Sequence, residues 1–186
     1  MTVPRWIYSL RTYLACLPLI FALFCRDYEF EDDRIIWPLG VGILIIGIIL
    51  RVWAQQHVHY RIKVHKKLTT SGPYRFVRNP LYLGNLLIGV GATVTSELFW
   101  FTPVMAAWLI LVYSLVIRYE EDHLIGKYGD SYREYLSAVP RWLPKPSGMR
   151  KVQFEFVNEY LRRAASIELR NLFILVPFVL KELFSA

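Results

Sequence analysis

Between Glu97 and Arg118 the chain runs 20 residues, 98–117, without a charge. The hydrocarbon core of a bilayer is about 30 Å thick and asks for about 20 mostly apolar helical residues. Three more charge-free runs precede this one: 16 residues at 35–50, 16 at 81–96 and 14 at 12–25. Four such runs in one short chain are hard to place in a water-soluble fold, where an apolar stretch of this length is a single buried helix. Run 35–50 reaches spanning length by taking in Val52, Trp53 and Ala54, with Arg51 snorkelling to the interface. The first run suffices if it begins near Trp6, with Arg11 snorkelling or facing the bundle. Run 81–96 is short. Trp6, Trp37, Trp53 and Trp100 fall near span ends, where interfacial aromatics collect. Bulky Phe24 stands where a cleavage site needs a small residue, so the first run is expected to be a retained anchor rather than a signal peptide.

The charges between the runs predict an orientation. Segment 26–34 has 2 basic and 5 acidic residues, 51–80 has 7 basic and none acidic, the 96–97 turn has only Glu97, and 118–170 has 10 basic and 8 acidic. Lys and Arg excess marks cytoplasmic loops. The N-terminus, 51–80 and 118–170 are therefore expected inside, and 26–34 and 96–97 outside. The formal charge of +7 could suggest nucleic acid, but a 55% hydrophobic content favours a membrane face carrying anionic lipid. That content also excludes disorder, and two cysteines exclude a disulfide scaffold. The tail at 150–186 leaves two readings: an amphipathic helix followed by a short fifth span over 172–180, or two helices lying on the inner face.

Polar residues with special backbone character crowd into the inner segments. Ser71-Gly72-Pro73 signals a turn. Asn79-Pro80 signals a helix start, since Asn caps and Pro suits the first helical position. Gly84 and Gly91 share a helix face that permits close approach. Glu120, Glu121 and Asp122 are expected at the C-terminal end of the fourth long helix, opposing its dipole. Tyr128, Tyr132, Tyr135 and Val139 follow helical spacing up to Pro140, a stripe that packing alone would explain. His57 and His59 lack a third ligand at suitable spacing, so no metal site is expected, and they read as interfacial hydrogen-bonding residues. Cys16 and Cys25 read as packing residues.

Taken in order, Leu68-Thr69-Thr70-Ser71-Gly72-Pro73-Tyr74, Arg78-Asn79-Pro80-Leu81-Tyr82-Leu83-Gly84, Glu120-Glu121, Tyr128-Gly129 to Tyr135, and Val139-Pro140-Arg141 resemble one family. It is the superfamily of membrane-embedded methyltransferases that includes the isoprenylcysteine carboxyl methyltransferases and the phospholipid methyltransferases. The resemblance covers about residues 35–145. It implies an all-α integral membrane protein with four to five transmembrane helices, cytoplasmic cofactor-binding loops and C-terminal amphipathic helices. The whole chain would be one domain, 1–186, with its motif core at about 51–145. It implies S-adenosyl-L-methionine as methyl donor and a lipophilic acceptor reached from the lipid bilayer, with no role for nucleic acid.

Carried over by position, Lys66, Lys67, Leu68, Thr69 and Tyr74 would line the cofactor's access loop. Asn79, Pro80, Leu81, Tyr82 and Glu120 would contact it, with His59 as a further polar contact and Gln55 and Gln56 as alternates. Arg118, Glu121 and His123 are the candidates for a catalytic role. Two positions depart from the family. Val116 stands where prenylcysteine enzymes hold the substrate carboxylate with an arginine, and Asn79 replaces a frequent His. The first departure points to another lipophilic acceptor and leaves room for a non-catalytic binding module on the same scaffold. A nicotinamide-dependent intramembrane reductase is the third reading.

Overall fold

A computed structural model describes residues 3–24, 33–60, 68–145 and 158–171. Among these residues every regular element is helical. In chain order they are α1 (Arg5–Ser9), α2 (Arg11–Phe24), α3 (Asp33–Tyr60), a 3-10 turn (Gly72–Arg75), α4 (Pro80–Thr95), α5 (Thr102–Tyr128), α6 (Asp130–Ala138) and α7 (Asn158–Asn171). Cys25, most of the 26–34 segment, Lys66, Lys67 and the 172–180 run lie outside the described residues.

Among the described residues two helices are long and apolar enough to cross a membrane: 26 residues at Arg34–His59 and 27 at Thr102–Tyr128. Helices α2 and α4 are apolar but shorter. At 1.5 Å per residue the 16-residue α4 is about 24 Å long. Ile46 and Ile49 on α3 and Leu111 on α5 are each more than half exposed, as are Leu17, Ile20 and Phe24 on α2. An exposed apolar surface this extensive suits lipid rather than water.

Three expectations are corrected here. Helix α5 does not stop at the carboxylates. Arg118 to His123 contain no Gly or Pro to break the helix, which runs on through Gly126 to Tyr128 and ends at Gly129, whose φ is 57°. Glu120 and Glu121 therefore sit two turns inside the helix, beyond the reach of its terminal dipole. Arg51 does not snorkel. It turns inward to a two-pronged ion pair with Glu168 of α7, at 2.8 and 2.9 Å. The extension of the first apolar run back to Trp6 is not continuous: the run itself lies in α2, and the chain breaks at Leu10 between α1 and α2.

Helices α3 and α4 pack antiparallel along a ladder of glycines. A Cβ on Gly47 would come 2.9 Å from the carbonyl oxygen of Gly84, and one on Gly91 would come 2.8 Å from the amide nitrogen of Leu44. Backbone lies against backbone, as small residues allow in membrane helices. Because the obstacle is backbone, it cannot swing aside. Gly91→Val is expected to cost about 1–3 kcal/mol by overpacking, and thermal unfolding in detergent would read this as a lowered midpoint. A midpoint equal to that of the unmodified protein would mean that the ladder is looser than described.

Helix α5 is the hub of the remaining packing. Met105, Leu109, Val112, Tyr113 and Ile117 form one buried cluster with Ala15 and Ala22 of α2 and with Leu98 and Phe101. Trp108 on α5 donates its indole N–H to the carbonyl oxygen of Leu14 at 2.8 Å. Tyr8 of α1 stacks on Tyr119 of α5 with ring centroids 5.1 Å apart. The stripe on α6 packs as well: Tyr132, Tyr135 and Val139 are buried together against Leu68, Leu124 and Tyr128.

Candidate functional site

Segment 71–79 is held from three sides. Gly72 has a φ of +57°, and a Cβ there would meet the His57 ring at 2.8 Å, so the turn needs glycine both for its backbone and for the space. His57 is buried, not interfacial as expected, and its Nε2 lies 2.9 Å from Ser71 Oγ. From the other side the segment after α6 returns. Arg78 N–H donates to the Pro140 carbonyl at 2.9 Å, and Lys145 N–H donates to that of Phe76 at 2.9 Å. Glu121 completes the clamp. Its carboxylate accepts from Arg78 Nη1 at 3.0 Å and from Arg141 Nη2. This is why the Arg-Asn-Pro, Glu-Glu and Val-Pro-Arg pieces occur together: they meet around one buried carboxylate.

The clamp leaves a cavity of about 490 Å³ beside it. Arg51, Gln55 and Val58 of α3 line it, together with Leu68, Thr69, Tyr74, Arg78 and Asn79 of the connecting segment. Leu81, Tyr82 and Asn85 of α4, Glu120, Leu124 and Tyr128 of α5, and Tyr132 and Tyr135 of α6 close it, with Arg11 and Thr12 of α2 at one end. Tyr82 donates its hydroxyl to Glu120 at 2.7 Å, and its ring lies 4.8 Å from that of Tyr113. Tyr135 donates to the Tyr74 carbonyl at 2.7 Å. Four buried polar atoms of lining residues have no hydrogen-bond partner among the described residues: Thr69 Oγ1, Asn79 Nδ2, Gln55 Oε1 and Arg78 Nε. Buried polar groups are nearly always paired, so each such atom calls for an explanation. Burial pushes the Tyr132 phenol up to about 12, with the Glu121 carboxylate adding to the rise. Tyr74 and Tyr135 are raised too, chiefly by burial. At neutral pH all three present O–H groups rather than phenolates.

A second cavity of about 460 Å³ lies deeper among the apolar helices. Arg11, Thr12, Arg51, Tyr82 and Asn85 line both cavities, so the two meet there. Ala15, Cys16, Leu19, Ile88, Met105 and Leu109 wall the inner one. Cys16 thus faces this cavity as well as packing.

The residues singled out from the sequence divide clearly. Leu68, Thr69, Tyr74, Asn79, Leu81, Tyr82 and Glu120 line the outer cavity. Pro80 is buried at the first position of α4 behind that wall. Asn79 occupies the N-cap position, but its side chain makes no capping bond. His59 does not line the cavity. Its Nδ1 lies 2.8 Å from the backbone oxygen of Gln55, and Gln55, named as an alternate, takes the place on the wall. None of the three catalytic candidates lines either cavity: Arg118 and His123 are exposed, and Glu121 is committed to its two arginines. Val116 is fully buried within α5. Sequence reasoning missed Arg11, Asn85 and Glu168. Asn85 was within reach, since it follows Tyr82 by three residues on the same helix face. Arg11 and Arg51 are ionisable groups within apolar segments, which is itself a mark of function.

The profile of the phospholipid methyltransferase family matches residues 36–131, which is α3 through the start of α6. The chain belongs to this family, within the membrane methyltransferase superfamily that also holds the isoprenylcysteine enzymes. It is similar to the nickel-cobalt-cadmium resistance protein NccN of Alcaligenes xylosoxydans xylosoxydans, with 31% identity over 83% of this chain and 70% of that protein. It is 32% identical to protein-S-isoprenylcysteine O-methyltransferase B of Arabidopsis thaliana over 56% of this chain and 57% of that one. It is 31% identical to the methanethiol S-methyltransferase of Crocosphaera subtropica over 48% and 35%. Apart from NccN, these relatives are matched over little more than half of their length or less. No solved structure matches. Among the described residues no three His, Cys, Asp or Glu side chains cluster as a metal site.

Proposed function

We propose that this chain is an integral membrane methyltransferase that takes its methyl group from S-adenosyl-L-methionine and transfers it to a lipid or other lipophilic acceptor. The observation that carries the reading is a cavity of about 490 Å³ that holds Glu120 and is lined by Thr69, Asn79, Gln55 and Arg78, each with a buried polar atom unpartnered among the described residues. A sulfonium amino acid joined to a nucleoside asks for such a set. Carboxylate and amide oxygens suit its cationic and hydroxyl groups, amide and guanidinium N–H groups suit its carboxylate, and aromatic faces suit its base. Glu120, Gln55, Asn79, Thr69, Arg78 and the Tyr74, Tyr128 and Tyr132 rings supply these. When bound, the donor presents a methyl carbon to the acceptor's nucleophile, and the methyl–sulfur bond breaks with its electron pair staying on sulfur. The chain's own part is to align the two partners and exclude water, which is where most of the rate of such a displacement is gained.

In this reading the outer cavity opens toward the cytoplasmic side, as the Lys and Arg excess of 51–80 predicts, and four to five helices are embedded. The residues form one domain whose motif core is about 51–145. Calorimetry in detergent tests the proposal. S-adenosyl-L-methionine is expected to bind, and Asn79→Ala to weaken it roughly 5- to 10-fold, as for one lost hydrogen bond. Labelled methyl donor incubated with membranes is then expected to mark a lipid-extractable product. Binding without transfer to any lipid extract would support the non-catalytic reading, and binding of a nicotinamide cofactor in its place would support the reductase.

A further inference from the structure

We propose that Glu168 of α7 is a positioning residue for the cofactor: it holds the side-chain amide of Gln55 by its nitrogen and so turns the amide oxygen to the outer cavity as an acceptor. The inference rests on the methyltransferase reading for the identity of that cofactor.

The direction of the amide follows from its neighbour. Glu168 Oε2 accepts from Arg51 Nε at 2.8 Å, and Oε1 accepts from Arg51 Nη2 at 2.9 Å and from Gln55 Nε2. A carboxylate paired with a guanidinium only accepts, so the end of the amide against it must be the N–H end. The amide oxygen then points away from Glu168. Gln55 Oε1 is buried and has no hydrogen-bond partner among the described residues. Gln55 lines the outer cavity and not the inner one. A buried carbonyl oxygen without a donor has lost its hydration with nothing in return, and an N–H or O–H of a bound ligand offsets that loss.

Helix α7 meets α3 along a narrow face. Ala164 and Glu168, one turn apart, are buried, while Glu159, Arg162, Arg163 and Arg170 are exposed. A buried ion pair adds little stability over packed apolar side chains. What this pair adds is direction, because it fixes Arg51 and Gln55, four residues apart on α3, in one arrangement. Helix α7 lies outside the 36–131 family match, so this support comes from a part of the chain that the family profile does not reach.

The charges on the wall give the oxygen a distinct part. Arg11, Arg51, Arg78 and Glu120 line the outer cavity. Arg51 is balanced by Glu168 and Arg78 by Glu121, while Glu120 accepts from Tyr82 and feels the charge of Arg11. The unpartnered atoms of Arg78 and Asn79 are nitrogens that donate, and the one of Gln55 is an oxygen that accepts. A tethered amide cannot turn its N–H to the cofactor's carboxylate, so Gln55 takes the ammonium or a hydroxyl.

Calorimetry with S-adenosyl-L-methionine on the full chain in detergent tests this on four proteins. They are the unmodified chain, Gln55→Leu, Glu168→Gln, and the exchange that combines Gln55→Glu with Glu168→Gln. Binding is read well below every unfolding midpoint, where a loss of stability alone leaves the affinity unmoved. Gln55→Leu keeps the Arg51–Glu168 pair and is expected to weaken binding roughly 5- to 10-fold. Glu168 is not on the outer wall, yet Glu168→Gln is expected to weaken binding by roughly threefold or more. The exchange restores an N–H to oxygen bond between the two positions and keeps one carboxylate four residues from Arg51. It is expected to recover the affinity to within about twofold, a coupling that independent sites would not show. A folded Gln55→Leu or Glu168→Gln protein that binds like the unmodified one would overturn the inference. So would an exchange protein that binds no better than Gln55→Leu. Gln55→Leu and the exchange both keep the buried charge, so a Glu168→Gln protein that fails to fold leaves the test intact. If the unmodified protein binds no S-adenosyl-L-methionine, the methyltransferase reading fails and this inference falls with it. Binding that ignores position 55 sinks the inference alone.

Discussion

Glu121→Ala is expected to lower the thermal unfolding midpoint in detergent by roughly 10 °C. Glu121 is 7% exposed and accepts from two arginines, Arg78 and Arg141, whose side chains are themselves mostly covered. Removing one partner of a buried ion pair costs about 3–5 kcal/mol, because the charge left behind keeps its desolvation penalty and loses its compensation. Here two guanidinium groups would be left facing each other. In a chain of this length each kcal/mol moves the midpoint by roughly 2–4 °C. The damage would also be directed: Arg78 and Arg141 belong to the segments that close the site, so the 71–79 turn should become the first region cut by protease. Glu121→Gln keeps an acceptor and the shape and is expected to lose about half as much. A Glu121→Ala protein that melts within about 2 °C of the unmodified one, yet transfers no methyl group, would assign this carboxylate to chemistry instead of to the clamp.

That contrast shows what the sequence could and could not reveal. The motif pieces led to the outer cavity because each is a local device. A Ser-Gly-Pro turn, an Asn-Pro helix start and a glycine face are readable one at a time, and the fold brings Thr69, Asn79, Tyr82 and Glu120 around one space. The division of labour between adjacent glutamates was not readable. It depends on which side of α5 meets Arg141, 20 residues on, and which meets Tyr82, 38 residues back. The end of α5 was misjudged because a cluster of charges looks like a membrane boundary. The backbone is not broken there and continues through Gly126 to the cap at Gly129. Arg51 was assigned to the interface for the same reason. Its partner is 117 residues away on a helix whose only visible feature was amphipathic spacing, and no local rule pairs them. Arg11 fared differently: facing the bundle was one of the two options its position left open, and the inner cavity selects it.

The other large effect is expected at the junction of the two cavities. Glu120→Ala should weaken S-adenosyl-L-methionine roughly 10- to 100-fold, the range for losing a hydrogen bond to a charged group, about 1.5–3 kcal/mol. Tyr82→Phe removes no group with a net charge, yet it should cost a sizeable part of the same affinity. The Tyr82 hydroxyl fixes the Glu120 carboxylate at 2.7 Å, and the Tyr82 ring, packed on Tyr113, stands between the outer and inner cavities. If Tyr82 acts through Glu120, the two losses must not add. The double variant should bind the cofactor about as weakly as Glu120→Ala alone, and the coupling measured by calorimetry on all four proteins should exceed about 0.5 kcal/mol. Additive losses would mean that Tyr82 touches the cofactor independently. If neither single variant changed the affinity in a preparation that still melts cooperatively, the outer cavity would not be the cofactor site, and the unpartnered atoms of Thr69, Asn79, Gln55 and Arg78 would need another explanation.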